Sequence, residues 1–397
     1  MFQKNTNILA FVFLLGVVNI VFSPFLTNFG YIDEGLVVVL LGCCLKYAPL
    51  FCRYKEFVAF VVIMCAFLGY SLFMAVNVPQ ATMRDFLICL KPFACFYVCY
   101  TFGFRFSSQT KKICRLFFIL FGLYLWGILP YINSLYRNTT AYYPACVFVG
   151  VGYLIFSEKR RLDWILASFF ILPGVASIRA KFFAEIIVWT GIVFFVKGRV
   201  KINIKYLLVA GALLLAVYKI NQDKILMYFV HGLRDGKARA YLYSTAIDIF
   251  RDFFPFGPGF GTFATDSAAK FYSPLNYTYH LNSVWGLSTI DFSKGINYYS
   301  DTFYPILAQF GVVGAAFFVL FWRKRWLESY LIGNISQYKI FLFMFFYLAI
   351  QCVAENTFTG SSSVPIMMVI GMCLSPKSDV FIGGAANAIS LNSKISG

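Results

Sequence analysis

The chain has 397 residues, of which 60% are apolar, 20% aromatic and only 13% charged. This balance excludes an ordinary soluble domain, because soluble proteins are about one-quarter charged, and it indicates a membrane protein. The net charge of +17 does not indicate nucleic-acid binding. The basic residues fall in short loops between apolar runs, as the positive-inside rule predicts for cytoplasmic loops.

Apolar runs of nearly the length needed to cross a bilayer recur along the whole chain. Basic clusters such as Lys159-Arg160-Arg161 and Arg323-Lys324-Arg325 are interpreted as cytoplasmic. We therefore predict an all-α polytopic membrane protein with about twelve transmembrane helices and both termini in the cytoplasm. The chain then divides into 1–220 with the first nine helices, a large outer loop over 221–301, and 302–397 with the last three helices and a cytoplasmic tail. The predicted spans are 8–28, 35–51, 57–76, 86–104, 116–132, 141–156, 162–177, 182–197, 204–220, 302–321, 339–354 and 362–374.

Neither disulfides nor a metal site are predicted. Most of the 11 cysteines lie within apolar runs and behave as small hydrophobic residues, and the long hydrophilic segment contains none. The only histidines are His231 and His280, and no Asp-x-Asp pair is present. We therefore expect no metal and no other cofactor.

Four cations lie where the predicted topology places the outer membrane face. Arg179 and Lys181 head a predicted span, and Arg84 and Lys91 share one face of another. Positive charge on this side runs against the positive-inside rule, and charges kept at a membrane span are a functional hypothesis. The four cations indicate an anion at that depth, namely a lipid phosphate or diphosphate. The alternatives are that the cations only reach toward the interface and that Glu185 is simply the ion-pair partner of Lys181.

The segment 221–301 is the only sizeable loop, and it is rich in aromatic side chains. Its seven Asp balance seven Lys and Arg, unlike the basic cytoplasmic loops. Flat rings among polar groups suit carbohydrate, because sugar C–H faces stack on rings while hydroxyls bond to charged groups. An aromatic belt at the membrane interface is an equal alternative. The aromatic residues include Tyr241, Tyr243, Tyr272, Tyr277, Tyr279, Trp285, Tyr298 and Tyr299.

Within this loop, residues 238–254 carry apolar side chains at helical spacing, with Arg239 in the first turn. The pattern predicts an amphipathic helix on the membrane surface. The stretch PFGPGFG, residues 255–261, ends this helix, because proline stops it and glycine allows a sharp turn. We expect a re-entry turn, with an anion-binding nest of backbone N–H groups as the alternative.

The order of these motifs resembles that of the O-antigen polymerase and ligase superfamily, the Wzy and WaaL group of the bacterial envelope. The shared order is Ser177-x-Arg179 entering a span, an outer loop with an Arg-headed helix, Pro-Phe-Gly-x-Gly-x-Gly, and Gly-x-x-Gly at 311–314 entering the next span. The resemblance covers mainly residues 175–320. It implies a glycosyltransferase of the bacterial inner membrane, with 221–301 as a periplasmic loop containing amphipathic helices that covers the cavity.

The resemblance also implies roles for individual residues. Arg179 and Arg239 match the family arginines that contact the diphosphate of an undecaprenyl-diphosphate-linked sugar without a metal. Ligases of the family usually carry His-Asn where this chain has Ser300-Asp301, which favours a polymerase with Asp301 as the acid or base. His280 is the alternative if the loop is aligned in another register. Further contacts to phosphate or glycan are expected from Lys181, Arg251, Arg84 and Lys91.

The reaction implied by the resemblance joins lipid-linked oligosaccharide repeats into a surface polysaccharide. The expected partners are undecaprenyl-diphosphate-linked oligosaccharide, the lipid bilayer and a chain-length regulator protein, with no nucleic acid. An O-antigen ligase that moves glycan onto lipid A core is the alternative enzyme. A lipid-linked oligosaccharide flippase is the non-enzyme alternative, but its cations should line a path through both leaflets, whereas the unusual cations here lie on one side.

Overall fold

The computed structural model describes residues 2–22, 35–40, 42, 55–103, 106–136, 141–199, 219, 222, 226–227, 231–299 and 302–376. Some sequence predictions lie outside these residues, namely most of the spans 35–51 and 204–220, Ser300 and Asp301, and the tail after residue 376. The described residues form helices and connecting turns, without a strand. The prediction of an all-α protein is confirmed for this part of the chain.

Short 3₁₀ helices lie at Leu129–Tyr131, Leu172–Ser177, Leu281–Ser283 and Tyr304–Phe310. The α-helices are α1 Phe2–Val21, α2 Lys55–Met74, α3 Pro79–Phe102, α4 Ser108–Gly127, α5 Ile132–Leu135, α6 Tyr142–Phe156, α7 Arg161–Ile171, α8 Ala180–Phe195, α9 Ala238–Asp252, α10 Asp266–Lys270, α11 Leu275–Thr278, α12 Thr289–Ser293, α13 Gly311–Ser329, α14 Ile335–Ala354 and α15 Ser363–Leu374.

Four segments of the described chain are long and apolar enough to cross a bilayer. They are α2, α3, the run Tyr304–Ser329 and the part Ile335–Val353 of α14. A fifth is present if α4 and the segment Leu129–Leu135, which are bent by 52° at their junction, form one broken span. These helices agree with the prediction of a membrane protein. The larger count of about twelve spans stays a prediction.

The core is centred on α6, in which every residue from Tyr142 to Phe156 is buried. This helix is apolar on all sides, as a helix surrounded by other helices must be. Gly150 lets α7 approach, because a Cβ there would lie 2.9 Å from the carbonyl oxygen of Ala167. By contrast, Ser71 is the one buried residue of α2, so most of the surface of this helix is not covered by the described part of the protein.

A sharp turn at residues 255–261, the glycine turn, packs against α3 through one buried carboxylate. The Asp85 side chain of α3 is fully buried. Its Oδ2 atom accepts hydrogen bonds from the Gly261 N–H at 2.8 Å and from the Gln309 side-chain amide at 2.9 Å. Gly261 has a φ of +71°, and a Cβ there would lie 2.7 Å from the carbonyl oxygen of Ala81, so glycine is required at this position.

The backbone N–H groups of residues 259–262 all find acceptors within the protein. Gly259 donates to the Gln309 carbonyl, Phe260 to the Ser71 hydroxyl, Gly261 to Asp85 and Thr262 to the Gln309 side chain. An anion-binding nest needs N–H groups that are open to a ligand. The bonding pattern therefore favours the re-entry turn over the nest.

The helix predicted over 238–254 is present as α9, and its periodic apolar face is the buried one. Leu242, Ala246 and Ile249 are buried, and α9 packs against the 3₁₀ helix Tyr304–Phe310 and against α13. Beyond its end, the Val313 N–H donates to the Pro255 carbonyl at 3.2 Å. The C-terminal end of α9 is thus tied to the start of α13.

Replacing Asp85 by Leu should strongly lower the melting temperature of the purified protein. The Gly261 N–H and the Gln309 amide would each lose their buried acceptor, at a cost of about 1–3 kcal/mol per group. Arg84→Gln is the matched control at the neighbouring position. It breaks an ion pair with Asp266 in which the side chains are 33% and 46% exposed, so it should cost about 0–1 kcal/mol. Equal losses for the two variants would contradict this role of Asp85.

Candidate functional site

The start of α8 brings two predicted site residues together. The 3₁₀ helix Leu172–Ser177 is followed by Ile178, which has a left-handed backbone with a φ of 52°. Such a conformation is uncommon for a residue other than glycine, and here it turns the chain between the 3₁₀ helix and α8. Arg179 is the N-cap residue of α8 and Lys181 lies in its first turn. Both cations therefore lie at the positive end of the helix dipole, where an anion is favoured.

Lys181 pairs with a carboxylate from another helix. Its partner is Glu355, the residue that follows α14. The Lys181 Nζ atom also lies 5.6 Å from the ring centroid of Tyr143 on α6, within the range of cation–π attraction. Glu185, the partner expected from helical spacing, attracts Lys181 only electrostatically and forms its hydrogen bond elsewhere.

A series of hydrogen bonds links the buried Glu185 to Gln351 and Tyr143. The Gln351 side-chain amide donates to the Glu185 Oε1 atom at 2.6 Å, and the Tyr143 hydroxyl donates to the Gln351 Oε1 atom at 3.1 Å. Glu185 is 1% exposed, and its Oε2 atom has no hydrogen-bond partner among the described residues. A buried carboxylate is costly unless nearby cations compensate it. Lys181 lies within electrostatic range of this buried side chain.

The first turn of α9 brings a third cation to the same place. Arg239 lies close enough to Lys181 for the two charges to repel each other, and it also interacts with Tyr243. The Tyr243 hydroxyl, one turn after Arg239, donates to the Val353 carbonyl at 3.0 Å, which fixes α9 against α14, the helix that carries Gln351. Arg239 thereby joins a site that α8 and α14 build.

These residues form one group, which we name the cation cluster: Arg179, Lys181 and Arg239 with the carboxylates Glu185 and Glu355. Arg179 adjoins Lys181 as the N-cap residue of the same helix and lies within electrostatic range of Tyr143. Three cations against two carboxylates leave an excess of positive charge. An anion that accepts several hydrogen bonds, such as a phosphate or diphosphate, would complete the group, since arginine binds such groups with two parallel bonds.

The other predicted site residues lie elsewhere in the described structure. Arg84 pairs with Asp266 at 2.5 Å and so ties α3 to α10. Lys91 is buried within α3. Arg251 is exposed in the last turn of α9, and His280 is exposed at the left-handed residue before the 3₁₀ helix Leu281–Ser283. Asp301 is outside the described residues.

The sequence-based prediction did not include Glu355, Gln351 and Tyr143. One sequence signal was available for Glu355, because it is the only carboxylate between Glu328 and Asp379 in an otherwise uncharged or basic stretch. Gln351 and Tyr143 gave no such signal, since isolated polar residues also occur in helices that only pack against other helices. Among the described residues there is no group of three or more His, Cys, Asp or Glu that could hold a metal ion.

Breaking the Lys181–Glu355 pair from either side should destabilise the protein more than removing both charges. We expect a coupling of about 1–3 kcal/mol between Lys181→Met and Glu355→Gln, measured as a double-mutant cycle of thermal unfolding. The matched control is the pair Arg160–Glu158, whose side chains are 77% and 61% exposed, with a coupling below about 0.5 kcal/mol. Equal coupling in the two pairs would mean that the cation cluster is not held by this contact.

Comparisons of the chain with protein families, with curated proteins and with solved structures found no match. The chemistry of the cation cluster and the order of motifs along the chain therefore carry the functional proposal.

Proposed function

We propose that the chain is a glycosyltransferase of the bacterial inner membrane that polymerises a surface polysaccharide such as O-antigen. In this proposal it has about twelve transmembrane helices, cytoplasmic termini and a periplasmic segment 221–301. The observation that carries the proposal is the cation cluster, in which Arg179 and Arg239 come from the two motifs that resemble the O-antigen polymerase and ligase superfamily. Its excess of positive charge suits the diphosphate of an undecaprenyl-linked donor.

The proposed reaction transfers a growing glycan from one lipid diphosphate to the next repeat. A hydroxyl oxygen of the acceptor sugar attacks the anomeric carbon of the donor sugar, and the bond from that carbon to the diphosphate oxygen breaks. The electron pair leaves with undecaprenyl diphosphate. Arg179 and Arg239 would stabilise the charge that grows on this leaving group, which is electrostatic catalysis without a metal.

The hydroxyl proton must pass to a base as the new bond forms. Asp301 is the residue that the resemblance favours for this role, and His280 is the alternative. The structure adds Glu355, which lies in the cation cluster with 33% of its side chain exposed. Glu185 is less suited, because it is almost fully buried and a sugar hydroxyl would have to reach it through the protein.

Replacing Arg179 by Ala should abolish chain growth while the protein still accumulates in the membrane. Loss of one preorganised donor to the leaving group costs about 10²–10³ in rate, so a strain carrying this variant should produce core with a single repeat. Arg179→Lys should recover little, since lysine lacks the planar fork. Arg160→Ala, at an exposed position, is the matched control. The measurement is the ladder of surface polysaccharide on a gel.

The same gel separates polymerase from ligase. A deletion strain with core plus one repeat, restored to a full ladder by the wild-type chain, supports the polymerase. If the deletion strain instead shows bare core while polymer accumulates on the lipid carrier, the chain is a ligase, and His280 is the residue to mutate next. A full-length ladder from Arg179→Ala at matched expression would rule out the proposed role of the cation cluster.

A further inference from the structure

Burial separates the aromatic residues of the segment 231–299 into two classes. Six of the eight aromatic residues that the sequence singles out are buried or half-buried and contribute to packing. The other two are exposed, with 56% of Tyr277 and 60% of Trp285 accessible. An exposed tryptophan has surface to offer to a ligand or to the bilayer, so its surroundings decide between the two.

Trp285 is held in a fixed position by the chain that follows it. Its ring lies edge-on against Tyr298, with the centroids 5.3 Å apart and the planes at 61°. The Tyr298 N–H donates to the Gly286 carbonyl at 3.0 Å. Gly286 has a φ of +83°, and a Cβ there would lie 2.0 Å from the Tyr298 ring. Only glycine therefore allows Tyr298 to support Trp285.

Asp291 stabilises the loop 286–291, which follows Trp285, through hydrogen bonds. Its carboxylate accepts hydrogen bonds from the Ser288 hydroxyl at 2.6 Å and from the Gly286 N–H at 2.8 Å. These bonds favour the charged carboxylate and lower the pKa of the Asp291 carboxyl below its ordinary value. The Ser288 hydroxyl oxygen also accepts the Asp291 N–H at 3.1 Å, which closes the loop on itself.

The second exposed ring, Tyr277, is also connected to this loop. Its ring lies edge-on against Tyr272, with the centroids 5.0 Å apart. The Tyr272 hydroxyl donates to the Leu287 carbonyl at 3.2 Å, one residue beyond Gly286. The residues that support the two exposed rings, Tyr272 and Tyr298, therefore bond to the adjacent residues Leu287 and Gly286.

We propose that Trp285 and Tyr277 form a stacking surface for pyranose rings of the growing glycan, an inference that rests on the proposed function. Fixed rings bind sugar faces with little loss of conformational entropy, whereas a bilayer anchor needs no fixed ring. His280, Asn282 and Ser283 lie between Tyr277 and Trp285 in the sequence, and all three are exposed. Their polar groups can therefore bond to sugar hydroxyls. His280 is then part of the glycan surface instead of the catalytic group.

The test uses the full-length protein in nanodiscs and, as probe, the repeat-unit oligosaccharide released by mild acid from the lipid carrier of the source strain. Trp285→Ala should bind this oligosaccharide about tenfold more weakly, the loss expected from one stacking contact. Trp285→Phe should retain most of the affinity, and Gly286→Ala should behave like Trp285→Ala. Ile247→Ala is the matched control, because it removes an apolar side chain that is 64% exposed on α9, and it should bind like the wild type.

In cells, Trp285→Ala should shorten the polysaccharide ladder without abolishing it. Wild-type affinity for the oligosaccharide in Trp285→Ala, together with a loss of fluorescence quenching by brominated lipids, would make Trp285 a bilayer anchor and overturn the proposal. The proposed polymerase fails separately, if deletion of the gene leaves the ladder intact while the oligosaccharide still binds with the predicted dependence on Trp285.

Discussion

The buried carboxylate of Asp85 is the constraint on which the arrangement of this protein depends. Its Oδ2 atom accepts hydrogen bonds from the glycine turn and from Gln309, which lies just before α13. A charged group with 0% exposure is costly to bury, and here two donors from distant parts of the chain offset that cost. The turn, α3 and the entry to α13 are thereby held in one geometry.

That geometry fixes both ends of α9. Its C-terminal end is tied to α13 through the glycine turn, and its second turn is tied to α14 by the hydrogen bond from Tyr243 to Val353. The 15 residues of α9 span about 22 Å, so Arg239 is held far from the turn yet close to Lys181. Helix α9 thus adds Arg239 to the charged site that α8 and α14 build.

Local patterns in the sequence were sufficient to predict α9, its apolar face and the glycine turn, because periodicity and turn chemistry are properties of neighbouring residues. They did not predict that this face packs on the protein instead of lying on the membrane surface. The partners of the site residues were not predictable in this way. Helical spacing paired Lys181 with Glu185, whereas the ion pair forms with Glu355, and Glu185 bonds to a glutamine 166 residues away. Asp85 likewise meets Gly261 across 176 residues. Such contacts depend on how the helices pack, which a single sequence does not encode as a pattern.

The central claim, that the cation cluster binds a lipid diphosphate, is tested most directly by titrating the full-length protein in nanodiscs with undecaprenyl diphosphate and following the ³¹P signal. The wild type should bind, and Arg179→Ala and Arg239→Ala should each weaken binding by about tenfold or more, as expected for loss of a charged hydrogen bond. Arg160→Ala should have no effect. Unchanged affinity in both of the first two variants would contradict the claim, whatever their effect on polysaccharide in cells.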